Sequence, residues 1–69
     1  MRIVLNGEPR EVAAPRPEAV LDAVLEELGY GGATVATAVN GAFVPAVARG
    51  STRLGEGDRL EVLTPRQGG

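Results

Sequence analysis

The sequence predicts an α+β domain of two layers, in which a mixed sheet of four to five strands has one helix packed across one face. Its 69 residues are enough for one domain only. One stretch, residues 17–29, carries apolar residues at helical spacing. Strand-like segments lie on both sides of that stretch, so a sheet is available to cover the apolar face of the helix.

A hairpin is predicted at the start of the chain. The segment "RIVLN", residues 2–6, is rich in β-branched residues and runs into Asn6-Gly7. This pair suits a tight two-residue turn, because both residues accept positive φ angles. The return strand is expected near Arg10 to Ala13.

An amphipathic helix follows the hairpin. Pro17 suits its first position, where the N–H that proline lacks is not needed, although Arg16 is an unusual capping residue. Gly29 is expected to end the helix as a C-terminal cap. The apolar positions of the helix are Val20, Leu21, Val24, Leu25 and Leu28. A separate, solvated stripe is acidic and consists of Glu18, Asp22 and Glu26.

The second half of the chain predicts three more strands. Residues 33–41, "ATVATAVNG", form a strand that ends in a second Asn-Gly turn, and "AFV", residues 42–44, forms a short strand that Pro45 stops. Residues 45–53 are expected to form a loop with a short helical turn. The turn "GEGD", residues 55–58, leads into "RLEVL", residues 59–63. There, apolar and charged residues alternate, which predicts a half-buried last strand.

Composition excludes several classes of function. The chain has no cysteine and no histidine, so it lacks disulfides, thiolate ligands and the commonest metal ligand and general base. Its seven cations, all arginine, are outnumbered by nine acids, and a formal charge of −2 without a basic cluster argues against nucleic acid as a partner. No apolar run is long enough to span a membrane. We therefore expect a cytoplasmic protein with no metal site and no catalytic residue.

The end of the sequence, "TPRQGG", predicts a flexible arm beyond a domain of residues 1–64. Pro65 cannot donate a ladder hydrogen bond, so residues 65–69 should leave the sheet and reach about 17 Å when extended. Gly68 and Gly69 make the tip thin enough for a narrow channel. The carboxylate of Gly69 is then the candidate functional group. Two terminal glycines alone are a weak signal, because frayed termini are ordinary.

Three residues in the second half of the chain carry further predictions. Leu63 should point away from the helix and belong to a partner-binding patch on the open face of the sheet. Phe43 is expected to pack in the core or at a strand edge. Asp58 is expected to order its turn.

The stretches "RIVLNGE", "VATAVNGAFVP" and "LGEGDRLEVLTPRQGG" together resemble the ThiS family of sulfur-carrier proteins of thiamine biosynthesis, over essentially the whole chain. The resemblance implies a ubiquitin-like β-grasp fold with the first and last strands parallel at the sheet centre. It also implies that an E1-like adenylyltransferase of ThiF type uses ATP and Mg²⁺ to adenylylate Gly69. Sulfur from a donor such as a cysteine desulfurase would then form a thiocarboxylate, and a thiazole synthase of ThiG type would accept the sulfur. The carrier itself would bind no cofactor.

The same resemblance implies that the arm threads into the active sites of these partners through Pro65, Arg66, Gln67 and Gly68. Arg66 departs from the family pattern, because relatives often carry an apolar residue at this position.

Three other functions are compatible with the sequence. The same chemistry could supply sulfur for molybdopterin or for thiolated tRNA. A ubiquitin-like modifier would instead couple Gly69 to lysines of target proteins. A β-grasp interaction module would use the folded domain and leave the tail inert.

Overall fold

The computed structural model describes residues 1–13 and 19–65 of the chain. The strands that it describes form one sheet in the order β2-β1-β5-β3-β4. The elements, in chain order, are β1 (Arg2–Leu5), β2 (Glu8–Glu11), α1 (Leu21–Glu27), β3 (Ala36–Val39), β4 (Ala42–Val44), a 3-10 helix (Ala46–Ser51) and β5 (Arg59–Leu63).

The centre of the sheet joins the two ends of the chain. Strands β1 and β5 are parallel, with Val4 opposite Arg59 and Leu5 opposite Leu60. The other neighbouring strands are antiparallel. The last strand is thus the central one and the first strand lies beside it, so the predicted mixed sheet and β-grasp fold are confirmed.

The first hairpin turns where the sequence predicts, but its second strand begins earlier. Asn6 and Gly7 have φ angles of 50° and 86°, the two positive values of a tight hairpin turn. This turn places Leu5 opposite Glu8, so β2 runs over Glu8–Glu11 and the predicted range of Arg10 to Ala13 is wrong. Pro9 is tolerated within β2 because the strand lies at the edge of the sheet.

Helix α1 begins later than the apolar periodicity predicts. The expected start at Pro17 and cap at Arg16, together with Glu18, lie outside the described residues. Val20 was predicted to be helical, but its backbone is extended, with φ −79° and ψ 155°. The reason is tertiary: Val20 forms a bridge with Arg53, and the flanking Leu21 N–H donates to the carbonyl of Thr52 at 2.7 Å. Pairing with a distant segment therefore overrides the local helical pattern.

The end of α1 follows the prediction. Gly29 has a φ of 96°, a conformation that costs little without a Cβ. Its N–H donates to the carbonyl of Glu26 at 3.1 Å, and the N–H of Tyr30 donates to the carbonyl of Leu25 at 2.9 Å. These two bonds define a Schellman motif and confirm Gly29 as the C-terminal cap.

The second half of the chain agrees closely with the predicted elements. Strands β4 and β5 have the predicted bounds, a 3-10 helix lies in the predicted loop, and Asn40 and Gly41 have positive φ angles of 51° and 85°. Only the start of β3 differs: the strand covers Ala36–Val39 and runs into the Asn40-Gly41 turn as predicted, but it begins later than residue 33. The Ala33 N–H instead donates to the carbonyl of Tyr30 at 2.9 Å, which closes a turn after the helix.

The core lies between the sheet and α1. Thr37 is its buried polar residue, and its hydroxyl donates to the carbonyl of Val44 at 2.8 Å. None of the helices in the described part of the chain is long and apolar enough to cross a membrane. The buried apolar side chains of the core are Ile3, Leu5, Val12, Leu21, Val24, Leu25, Val44, Leu54, Leu60 and Val62.

Replacing Leu25 with alanine should lower the free energy of unfolding by about 2–5 kcal/mol, because truncation of a buried leucine leaves a cavity. The side chain is 4% exposed and contacts the core cluster. Urea unfolding followed by circular dichroism measures the loss. The control is Glu26→Ala at an exposed position of the same helix, which should change the free energy by less than about 0.5 kcal/mol. Equal unfolding midpoints for the two variants would contradict this assignment of the buried face.

Candidate functional site

The candidate site begins where the central strand ends. Leu63 is the last residue of β5 and lies opposite Ala36 of β3. Thr64 and Pro65 follow it and line a shallow cleft of about 300 Å³ with the start of β3. The remaining predicted arm residues, Arg66, Gln67, Gly68 and Gly69, lie outside the described residues.

The turn residue Asn6 holds this end of β5. Its N–H donates to the carbonyl of Leu60 at 2.9 Å, which continues the parallel ladder. Its side-chain amide also pairs with the backbone of Val62: Oδ1 accepts the Val62 N–H at 2.9 Å and Nδ2 donates to the Val62 carbonyl at 3.2 Å. The sequence indicated the turn at Asn6 but not this contact, because the contact joins residues 56 positions apart.

The other Asn-Gly turn holds the start of β5. The N–H of Arg59 donates to Oδ1 of Asn40 at 2.9 Å, and Nδ2 of Asn40 donates to Asp58 Oδ1 at 3.2 Å. The second carboxylate oxygen of Asp58 accepts the N–H of Gly55 at 2.7 Å. Asp58 therefore orders its turn, as predicted, and also links that turn to the Asn40 hairpin.

A third contact braces the strand beside β5. Arg49 lies in the 3-10 helix, and its Nη2 donates to the carbonyl of Val35 at 2.6 Å, while its Nε donates to the Thr37 hydroxyl at 3.2 Å. Sequence reasoning missed Arg49, because an arginine in a predicted loop carries no local sign of a structural role. Its contacts support the start of β3, which lines the cleft beside Thr64.

The sheet face opposite the helix is mostly apolar near the site, and the exposed Glu61 lies on it opposite Ala38. Leu63 is 59% exposed and Phe43 is 68% exposed. They border an open groove of about 500 Å³ on β3, β4 and β5, where Ala36 and Ala38 add little bulk. Leu63 is thus exposed on the open face, as predicted. The alternative of core packing for Phe43 is wrong: it lies on edge strand β4 opposite Ala38, whereas its neighbour Val44 is buried.

The described side chains at this site form an exposed, mostly apolar surface. No group of His, Cys, Asp or Glu among residues 1–13 and 19–65 could hold a metal ion. Ser51 donates its hydroxyl to the carbonyl of Ala48 at 3.2 Å, a contact local to the 3-10 helix. What the geometry offers is a mostly apolar surface that is continuous with Thr64 and Pro65.

Comparisons with known proteins agree with this geometry. The crystal structure of the thiamine biosynthesis protein (ThiS) from Geobacter metallireducens is similar to the whole chain, with a TM-score of 0.81, 27% sequence identity and 100% coverage of both chains. A search of curated proteins finds no match. The model of the ThiS family matches residues 3–69, which include the hairpin, the helix, the open face and the terminal glycines. On that match the chain belongs to the ThiS family.

Proposed function

We propose that this protein is a sulfur carrier of thiamine biosynthesis, with the carboxylate of Gly69 as the group that carries sulfur. The observation that supports the proposal most directly is the family match, which extends through Gly69. The similar structure of a thiamine biosynthesis protein favours thiazole over molybdopterin or tRNA as the destination of the sulfur. The cycle would operate in the cytoplasm.

The chemistry has three steps. The Gly69 carboxylate attacks the α-phosphate of ATP on an E1-like enzyme of ThiF type, which forms an acyl-adenylate and releases pyrophosphate. A persulfide from a donor such as a cysteine desulfurase then attacks the acyl carbon and displaces AMP. Cleavage of the S–S bond by a thiol leaves the thiocarboxylate, which a thiazole synthase of ThiG type accepts as its sulfur source. ATP, Mg²⁺ and the catalytic groups belong to the partner enzymes.

Within this cycle the folded domain serves for recognition. The apolar groove bordered by Phe43 and Leu63 gives a partner a surface to bury, and burial of exposed apolar groups is a main source of binding energy. The same groove adjoins Thr64 and Pro65, so an enzyme bound there is close to the start of the arm. The arm, residues 65–69, then enters the active site and delivers Gly69.

The experiment that tests the proposal is an intact-mass measurement after incubation with ATP, a ThiF-type enzyme and a sulfur donor. A mass gain that corresponds to exchange of one oxygen for sulfur, mapped to Gly69, is the expected result. A known carrier treated in parallel controls for the activity of the enzymes. If that carrier reacts and this protein forms neither adenylate nor thiocarboxylate, the proposed function is wrong.

Adding one residue after Gly69 should abolish adenylate formation, because the carboxylate is displaced and the tip is no longer two glycines. Pyrophosphate release by the activating enzyme measures the reaction. The circular dichroism spectrum should stay unchanged, since the addition changes no residue of the core. Normal adenylation of the extended protein would contradict the requirement for a thin tip.

Replacing Leu63 with arginine should weaken docking and raise the KM of the activating enzyme for the carrier by on the order of 10-fold, since it places a charge in an apolar surface that docking would bury. The matched control is Val47→Arg. Val47 is 95% exposed, but it lies on the 3-10 helix, which packs with α1 away from the open face. The control should leave KM unchanged. Equal effects of the two substitutions would show that the open face is not the docking surface.

A further inference from the structure

The side chain of Asn6 makes two contacts that its place in a tight turn does not require. Its φ of 50° is available to glycine as well as to asparagine at this turn position. Yet its amide reaches β5 and pairs with both the N–H and the carbonyl of Val62, at 2.9 and 3.2 Å. Since the backbone of Val62 offers one donor and one acceptor, only one orientation of the amide satisfies both groups.

The contact between Asn6 and Val62 lies where β5 extends beyond the end of β1. Strand β1 ends at Leu5, which lies opposite Leu60, whereas β5 continues to Leu63. Past Leu60, β5 therefore has no residue of β1 opposite it on that side. The amide of Asn6 takes the place of a strand residue there. On the other side Leu63 lies opposite Ala36 of β3. The end of β5 is held between β3 and one side chain.

We propose that Asn6 is a positioning residue for the C-terminal arm: by clamping Val62, it sets the direction in which β5 leaves the sheet. This inference rests on the proposed function, because the direction matters only if the arm must reach a partner's active site. Val62 lies three positions before Pro65, so the clamp sets where Thr64 and Pro65 begin their path away from the sheet. A misplacement of about 1 Å at a reacting atom can lower a rate by on the order of 100-fold.

The chain offers a matched control in its second Asn-Gly turn. Asn40 and Gly41 have φ angles of 51° and 85°, nearly those of the first turn. Oδ1 of Asn40 also accepts a backbone N–H of β5, that of Arg59, at 2.9 Å. This contact lies at the start of the strand, at the opposite end from Thr64 and Pro65. Asn6→Gly and Asn40→Gly thus remove similar contacts from similar turns at opposite ends of β5.

The first test compares the two variants as substrates of a ThiF-type enzyme, below the unfolding temperature of either. For Asn6→Gly we expect kcat for adenylate formation to fall on the order of 10- to 100-fold. Asn6 also lines the groove, but the exposed apolar side chains of Phe43 and Leu63 are unchanged in this variant, so KM should change less than about 2-fold. Asn40→Gly should keep both constants within about 2-fold of wild type. Equal kcat values for the two variants, or a change confined to KM, would overturn the proposal.

The second test needs no enzyme. In Asn6→Gly, amide hydrogen exchange should accelerate at Val62 and the ¹⁵N order parameter of Thr64 should fall, whereas Asn40→Gly should accelerate exchange at Arg59 and leave Thr64 unchanged. Asn6→Asp keeps the acceptor for the Val62 N–H but places a carboxylate oxygen against the Val62 carbonyl, so it should also lower the Thr64 order parameter.

If wild type is not activated at all, the proposed function fails on its own. An unchanged Thr64 in both Asn6 variants overturns the clamp independently.

Discussion

The parallel pairing of β1 with β5 is the constraint on which the rest of this structure depends. It joins segments more than 50 positions apart, through hydrogen bonds from Val4 N–H to the Asp58 carbonyl and from Asn6 N–H to the Leu60 carbonyl, both at 2.9 Å. Closing so long a loop is entropically costly and is offset by burial of apolar side chains. Ile3, Leu5 and Leu60 become buried on one face of the paired strands, and this face is the surface that α1 covers.

The same pairing decides where the candidate site lies. Because β5 occupies the middle of the sheet, its last residues are supported on both sides, by β3 and by the amide of Asn6. The groove on the open face and the cleft at Thr64 and Pro65 share Ala36 and Leu63. A partner that buries this groove therefore meets the chain where it leaves the sheet. In the proposed cycle the domain contributes recognition and direction, and the chemistry takes place at Gly69.

Features that depend on neighbouring residues were predictable from the sequence. Both Asn-Gly turns, the Gly29 cap and strands β4 and β5 follow from local backbone preferences and from period-two alternation. Features that depend on distant segments were not. Val20 continues a helical pattern but is extended, because it pairs with Arg53. The exposure of Phe43 likewise follows from its pairing opposite Ala38 on the open face of the sheet. The hydrophobicity of the side chain does not reveal that pairing.

By itself, the sequence determined the class of fold, the family and the candidate reactive end, because composition, turn residues and the motifs that run through Gly69 are properties of the chain in order. Only the tertiary structure decided which residues support that end. Two hydrogen bonds join residues from separate elements. One runs from the side-chain amide of Asn6 to the carbonyl of Val62, and the other from the guanidinium of Arg49 to the carbonyl of Val35. Such contacts exist only once the sheet has assembled, because their geometry is set by strand order and register rather than by local preference.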